Sequence, residues 1–320
     1  MRNNLLNTES TTSIIGNFED LLRHARTLPE KRVVLIHPSS TETFGAMVRA
    51  QAALHVKFIL VGDKKIIKEG MAAERVDLSI AEIVDRPEMS DSLQTAIGLV
   101  RDGRGDILMK GGVDTSTMMK AVLREESGLR IGRLLSDIFV LEYPHRAVNK
   151  FVMISDGGMT LAPTLKNKVE LITNAVEVAH ALGNMMPKVA VLSATEYVLP
   201  NLPSTLDAAA LSKMNERGQI TGCIVDGPFA LDNAVSPEAA QEKRINSAVA
   251  GKAEILIAAN IESANSLAKS TTYFANLPLA HVIIGARVPI LIPSRADKSD
   301  AKLLSIALGI IISESSKAKA

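Results

Sequence analysis

The chain has 320 residues, of which 47% are hydrophobic and 22% charged, a globular composition, because a disordered chain lacks the apolar side chains that offset chain entropy. Its length suits two domains of about 100 to 200 residues each. Lys plus Arg number 36 against 35 Asp plus Glu, and aromatic residues make up 3% with no Trp; the bulk positive field and the stacking surfaces of a nucleic-acid binder are both missing, so an anion must be held locally.

The one cysteine, Cys223, can form neither an intrachain disulfide nor a thiolate zinc site, and a reducing compartment, the cytoplasm, is expected. The opening MRNNLLNTESTTSII has no signal-peptide core. No stretch reaches the roughly 18 uninterrupted apolar residues of a membrane span. Neither export nor a membrane anchor is expected.

In chain order, short aliphatic runs predict buried strands at 32–37, 57–61, 106–109, 137–141, 151–155, 188–193, 221–225, 254–258, 281–285 and 289–292. Most are near-continuously apolar, as parallel strands covered on both faces are. Helical stripes lie between them. Leu93, Ala96, Ile97 and Val100 form one before DILMKG; Leu165, Val169, Ile172, Val176 and Ala179 form the clearest; Leu303, Leu304, Ala307 and Ile310 form the last, after PSRADKSD. The alternation predicts an α/β fold with parallel sheets in αβα layers, built from right-handed crossovers. The segment 143–150, YPHRAVNK, combines a proline with polar residues and is the expected crossing between domains.

Named motifs are absent: there is no GxxxxGK[ST] loop, no GxGxxG after a strand, no HExxH and no GxSxG. The histidines lack ligand spacing, so they read as structural or solvated, and no metal site is predicted. Four loops at predicted strand ends remain, where open α/β sheets place ligands. In 109–117, MKGGVDTST, Lys110 precedes Gly111 and Gly112, and Thr115 opens a helix whose N-terminus could hold a phosphate or could be a plain capped turn. In 155–163, SDGGMTLAP, Ser155 and Asp156 precede a glycine pair suited to a sharp turn or a close approach. Asp226, with Gly227 and Pro228, reads as a strand-end turn carrying a carboxylate. After 289–292, the run Ser294, Arg295, Asp297 and Asp300 gathers a hydroxyl, a guanidinium and carboxylates. Those groups suit phosphate binding, oxyanion stabilisation and proton transfer, and they also suit a charged helix start.

Taken together, LMKGGVDTSTMMKAVL, ISDGGMTLAPTLKNKVELITNAVEVA, PSTLDAAALSKMNERGQITGCIVDGPFALDNAVS and IIGARVPILIPSRADKSDAKLLSIAL resemble the phosphate acetyltransferase and phosphate butyryltransferase family. The resemblance implies a two-domain α/β fold similar to the isocitrate and isopropylmalate dehydrogenases, with 1–145 plus 295–320 as the first domain and 146–294 inserted as the second. It implies a homodimer. It also implies reversible transfer of a short acyl group between acyl-coenzyme A and inorganic phosphate, with no metal, no tightly bound cofactor and no covalent acyl-enzyme. Coenzyme A enters as a substrate.

The family's Ser-Arg falls on Ser294 and Arg295. At the position of its acid this chain has Ala301, so Asp300, one residue short, is the expected base and Asp297 the other candidate. Arg287 matches the basic residue before the same strand, implied to hold phosphate or coenzyme A. Lys110, Thr115, Arg124, Arg130 and Arg133 fall in a region that supplies anion contacts in the family. A metal- and NAD-dependent decarboxylating dehydrogenase on a related fold, and a non-catalytic coenzyme A-binding regulatory module, are the alternatives.

Overall fold

A computed structural model describes residues 14–294 and 296–318. The first part of the chain runs α1 (Phe18–Ala25), β1 (Lys31–Ile36), α2 (Thr41–Ala53), β2 (Val56–Gly62), α3 (Lys64–Ala73), β3 (Ala81–Asp85), α4 (Met89–Arg101), β4 (Ile107–Lys110), α5 (Thr115–Leu123) and β5 (Ser136–Glu142). There follow β6 (Phe151–Ser155), α6 (Leu165–Ala181), β7 (Lys188–Leu192), α7 (Pro203–Glu216), β8 (Ile224–Phe229), α8 (Leu231–Val235), α9 (Pro237–Glu242), β9 (Ile255–Ile257) and α10 (Ile261–Tyr273). Last come β10 (Leu279–Ile284), β11 (Ile290–Leu291) and α11 (Ser299–Lys317). Helix starts follow local chemistry. Thr164 and Asn167 form a reciprocal capping box ahead of α6, and the Asp63 carboxylate accepts the Lys65 and Ile66 N–H groups at the start of α3, satisfying donors that a helix leaves open.

Among the described residues, the eleven strands join one sheet in the order β3-β2-β1-β4-β11-β10-β5-β6-β9-β7-β8. Pairing is parallel except around β10, which runs antiparallel to both β11 and β5, and at the β5–β6 pair. Strands β10 and β11, within the span expected for the inserted domain, are hydrogen-bonded between β4 and β5, strands from the first 145 residues.

Because successive strand residues point to opposite faces, each strand feeds two cores. One face carries a continuous core across the molecule, in which Val33 and Leu35 of β1 join Val189 and Val191 of β7 beneath α11 and α6. The other face is divided. Val34, Leu108, Ile283 and Ile292 pack with α4 and α5, whereas Phe139, Ile154, Ala190 and Leu256 pack with Ala264 and Ala268 of α10. The division falls between β10 and β5, and a cavity opens there.

Two strands depart from the sequence expectation. β3 is a sheet edge with only half-buried and exposed residues, so it lacks the apolar run that announces a buried strand. β8 continues through Asp226, Gly227 and Pro228 to Phe229, where a strand-end turn is expected. It is the opposite edge and its register against β7 shifts beyond Ala190; an edge with a bulge tolerates proline, which has no N–H to donate.

Candidate active site

β4 and β11 are parallel neighbours, with Leu291 beside Met109. Their C-terminal ends therefore deliver Lys110 and the Pro293–Ser294 turn to one place. A cavity of about 560 Å³ opens there, lined by Lys110, Thr115, Ser294 and Asp297 on one side and by Asp137, Phe139, His281, Asn265 and Lys269 on the other. Its volume lies within the range of small-molecule sites.

The 294–297 turn is self-ordered. The Ser294 N–H donates to Asp297 Oδ2 at 2.7 Å, and the buried Lys302 ammonium donates to the carbonyls of Ser294 (3.2 Å) and Asp297. Burial pulls the Lys302 pKa below its usual value, against the pull of Asp297 and Glu42. Lys302 also lines a smaller adjoining cavity of about 270 Å³ with Ser39, Ser40, Thr43, Lys110 and Gly112.

Across the cavity, β5 and β10 place Phe139 opposite His281 and Asp137 opposite Ile283. His281 Nδ1 lies 3.1 Å from Asp137 Oδ1, and Nε2 lies 4.0 Å from Asp297 Oδ2. The imidazole stacks on the Phe139 ring at 5.1 Å between centroids. Burial lowers the His281 pKa, but the charge of Asp137, its hydrogen bond and the charge of Asp297 outweigh that and raise it overall.

Behind this pair lies Asp156, whose Oδ1 accepts the N–H groups of Asp137, Gly158 and Met159 and whose Oδ2 accepts that of Thr160. Burial, reinforced by the charge of Asp137, pushes its pKa up to about 6 in spite of those donors. The glycine pair is required by the packing. A Cβ on Gly157 would stand 2.6 Å from the Phe139 ring, and one on Gly158 2.6 Å from Asp137 Oδ2. Asp156 thus holds the wall of the cavity. Ser155, fully buried at the end of β6, does not line it.

The expected residues are only partly brought together. Lys110, Thr115 and Ser294 line the cavity; Arg295 lies outside the described residues. Asp300 points elsewhere: its carboxylate pairs with Arg49 at 2.9 Å, both side chains more than half exposed. Of the two candidate acids Asp297 is the one at the cavity, because Asp300 falls within the first turn of α11 and the turn before the helix faces the opening. Gly111 and Gly112 serve the neighbouring backbone, since a Cβ on Gly111 would meet Ile36 O at 2.3 Å and one on Gly112 would meet His37 O at 2.9 Å. The α5 N-terminus is occupied by its own cap, Asp114, which accepts from Thr117 N at 2.8 Å.

Arg287 and Arg133 lie at a different place. Arg287 sits in the β10–β11 connection, at the opposite end of β11 from Ser294, and shares a separate cavity of about 280 Å³ with Arg133, Glu177 and Ile312. Arg133 there pairs with Glu177 at 2.7 Å. Asp226 is farther still, on the edge strand β8, bonded to Ser212 and Ser247. Cys223 is buried, its thiol pushed up to about 11 by burial, so it is not a ready nucleophile.

Asp137, His281 and Lys269 are the residues sequence reasoning missed. A signal existed: an acid in SDIFVLE and a histidine in LAHVII interrupt apolar runs, and polar groups buried in strands need partners. Their pairing depends on the antiparallel register of β5 and β10.

A family model described as "Phosphate acetyl/butaryl transferase" matches residues 86–310. Over 299 residues, 92% of this chain and 98% of the relative, the chain is 43% identical to a protein of Bacillus subtilis (strain 168) named "Probable phosphate butyryltransferase". It is 38% identical to a "Phosphate acetyltransferase" of Rhizobium meliloti, over 92% of this chain and 93% of that one. The crystal structure of a branched-chain phosphotransacylase from Enterococcus faecalis V583 superposes with a TM-score of 0.78 at 29% identity, covering 88% of this chain and 99% of the other.

Proposed function

The chain belongs to the phosphate acetyl/butaryl transferase family, and from that premise we propose that it moves a short acyl group between coenzyme A and phosphate in the cavity between α5 and α10. The reaction is acyl-coenzyme A plus phosphate to acyl phosphate plus coenzyme A, and its reverse. The observation that carries the site assignment is the convergence of Ser294, Asp297 and Lys110 with the Asp137–His281 pair on one cavity.

Ser294 donates a hydrogen bond to the oxyanion that forms as the acyl carbon becomes tetrahedral, and Lys110 brings positive charge to the phosphoryl oxygens. Arg295 joins them on the strength of the family resemblance. Donors aimed at charge that develops only in the transition state raise turnover; losing one costs on the order of 100-fold to 1,000-fold. Transfer is direct, within a ternary complex, where positioning supplies part of the acceleration and closure excludes water that would hydrolyse the acyl phosphate.

Two units flank the cavity in this reading: residues up to 145 with the C-terminal helix, and an insertion from 146. The hydrogen bonding of β10 and β11 among strands of the first unit supports a return to it ahead of β10, earlier than residue 295. A homodimer, a cytoplasmic setting and the lack of a tightly bound cofactor belong to the same proposal. Among the described residues no helix is long and apolar enough to cross a membrane.

The test is phosphate-dependent release of coenzyme A thiol from acetyl-, propionyl- and butyryl-coenzyme A by the purified protein, with a metal chelator present. Release from at least one of them, only when phosphate is added, is expected. No release with coenzyme A binding intact would overturn the reading. The ranking sets the preferred acyl chain length, because one methylene in an apolar pocket changes discrimination by about 1 to 3 kcal/mol.

A further inference from the structure

His281 is held from three directions. Its backbone N–H donates to Ser305 Oγ at 3.1 Å, its ring lies flat on Phe139 with 5° between the planes, and Nδ1 meets Asp137 Oδ1 at 3.1 Å. A carboxylate there requires Nδ1 to carry a proton. That fixes the tautomer and turns Nε2 toward the cavity. At 4.0 Å from Asp297 Oδ2, Nε2 is too far for a direct hydrogen bond, so it can serve a group that enters the cavity lined by His281, Ser294 and Asp297. An oriented imidazole facing a substrate cavity, backed by a buried carboxylate, is the arrangement of a general acid and base.

We propose that His281 Nε2 carries the thiol proton of the transfer reaction, with Asp137 as its positioning residue. The proposal rests on the acyl transfer reading above. In the acyl phosphate-forming direction a hydrogen phosphate oxygen attacks the thioester carbon. The carbon–sulfur bond then breaks with its electron pair going to sulfur, and His281 delivers its Nε2 proton to that sulfur. The proton brought in by hydrogen phosphate restores the imidazolium. In reverse the same states are retraced: the imidazolium gives its proton to the departing phosphate, which leaves with the electron pair of the carbon–oxygen bond, and the neutral imidazole so formed takes the thiol proton as sulfur attacks the acyl carbon.

The groups facing His281 fit this use. Asp137 from β5 and Asp297 from the turn before α11 favour the imidazolium, Lys269 from α10 opposes it, Lys110 lines the same cavity, and Asp156 lies behind Asp137. With its pKa raised overall, His281 is held ready as an acid. Acyl phosphate formation should therefore weaken as pH rises through the His281 pKa. The phosphate dianion becomes more abundant as pH rises, so this limb runs opposite to the one phosphate ionisation would produce.

His281→Asn is the deciding variant, because its amide can keep the bond to Asp137 while nothing replaces Nε2. The expected result is a kcat for acyl phosphate formation about 100-fold to 1,000-fold lower, a KM for phosphate within about threefold of wild type, and loss of the descending alkaline limb. A kcat near wild type, or a lowered kcat with the limb retained, would overturn the proposal. Should the variant not fold, the wild-type profile decides alone: a profile with no descending alkaline limb refutes it. A wild type without phosphate-dependent thiol release defeats the acyl transfer reading itself. An active wild type with an unimpaired variant defeats only the role of His281.

Discussion

Asp297 and Asp300 differ by three positions and by almost everything else. Asp297 accepts the Ser294 N–H and faces His281, whereas Asp300 forms an exposed pair with Arg49 of a kind worth at most about 1 kcal/mol. Asp297→Ala should lower kcat about 100-fold, by releasing the Ser294 turn and uncovering His281. Asp300→Ala should leave kcat within about threefold of wild type. Steady-state kinetics of the two variants, with thermal unfolding as a folding control, separates them; equal losses would contradict the placement. The segment of the proposed site was legible in the sequence because Ser294, Arg295 and both acids cluster after a strand. Which acid faces the cavity was not, because a helix turns by about 100° per residue, so the start of α11 directs Asp300 away, and spacing alone does not say where that helix starts.

At the scale of elements, the end of β4 is positioned by contact with β1. Ile36 O and His37 O approach Gly111 so closely that a Cβ would stand 2.3 Å and 2.8 Å from them. Both contacts are backbone, with little freedom to yield. Gly111→Ala should therefore destabilise the protein by about 1 to 3 kcal/mol and shift Lys110, lowering activity together with the urea midpoint. An unchanged midpoint would show that β4 and β1 separate freely. The glycine pair was visible in the sequence, yet its cause was not: the close approach is made by another strand's carbonyls. The edges were legible in the opposite sense. β3 and β8 are the strands read poorly or partly, because edge strands carry little apolar pattern and tolerate the Gly and Pro of β8.

For the molecule as a whole, one sheet face carries a continuous core and the other is split at the β10–β5 boundary, where polar groups replace apolar packing. Part of that cost shows in pH dependence. Asp156 titrates near pH 6 in the folded protein, against 3.8 for a free carboxyl, so the native state binds the proton more tightly than the unfolded chain does. Stability from this group is complete below about pH 4 and is lost as pH rises through about 6, amounting to about 3 kcal/mol. Relative to Asp156→Asn, whose amide does not titrate, the wild type should lose that much unfolding free energy between about pH 4 and about pH 7; parallel pH profiles would contradict the burial argument. Alternating apolar strands and amphipathic helices determined the α/β class from the sequence alone, since burial of one helix face and both strand faces is a local, periodic requirement. Four long segments carried the family resemblance, because catalytic loops sit contiguously at strand ends. The antiparallel entry of β10 beside β5, the meeting of Asp137 with His281, and the separation of Arg287 from Ser294 were decided only by tertiary structure. They depend on register between strands more than 130 residues apart in the chain, and no local pattern encodes it.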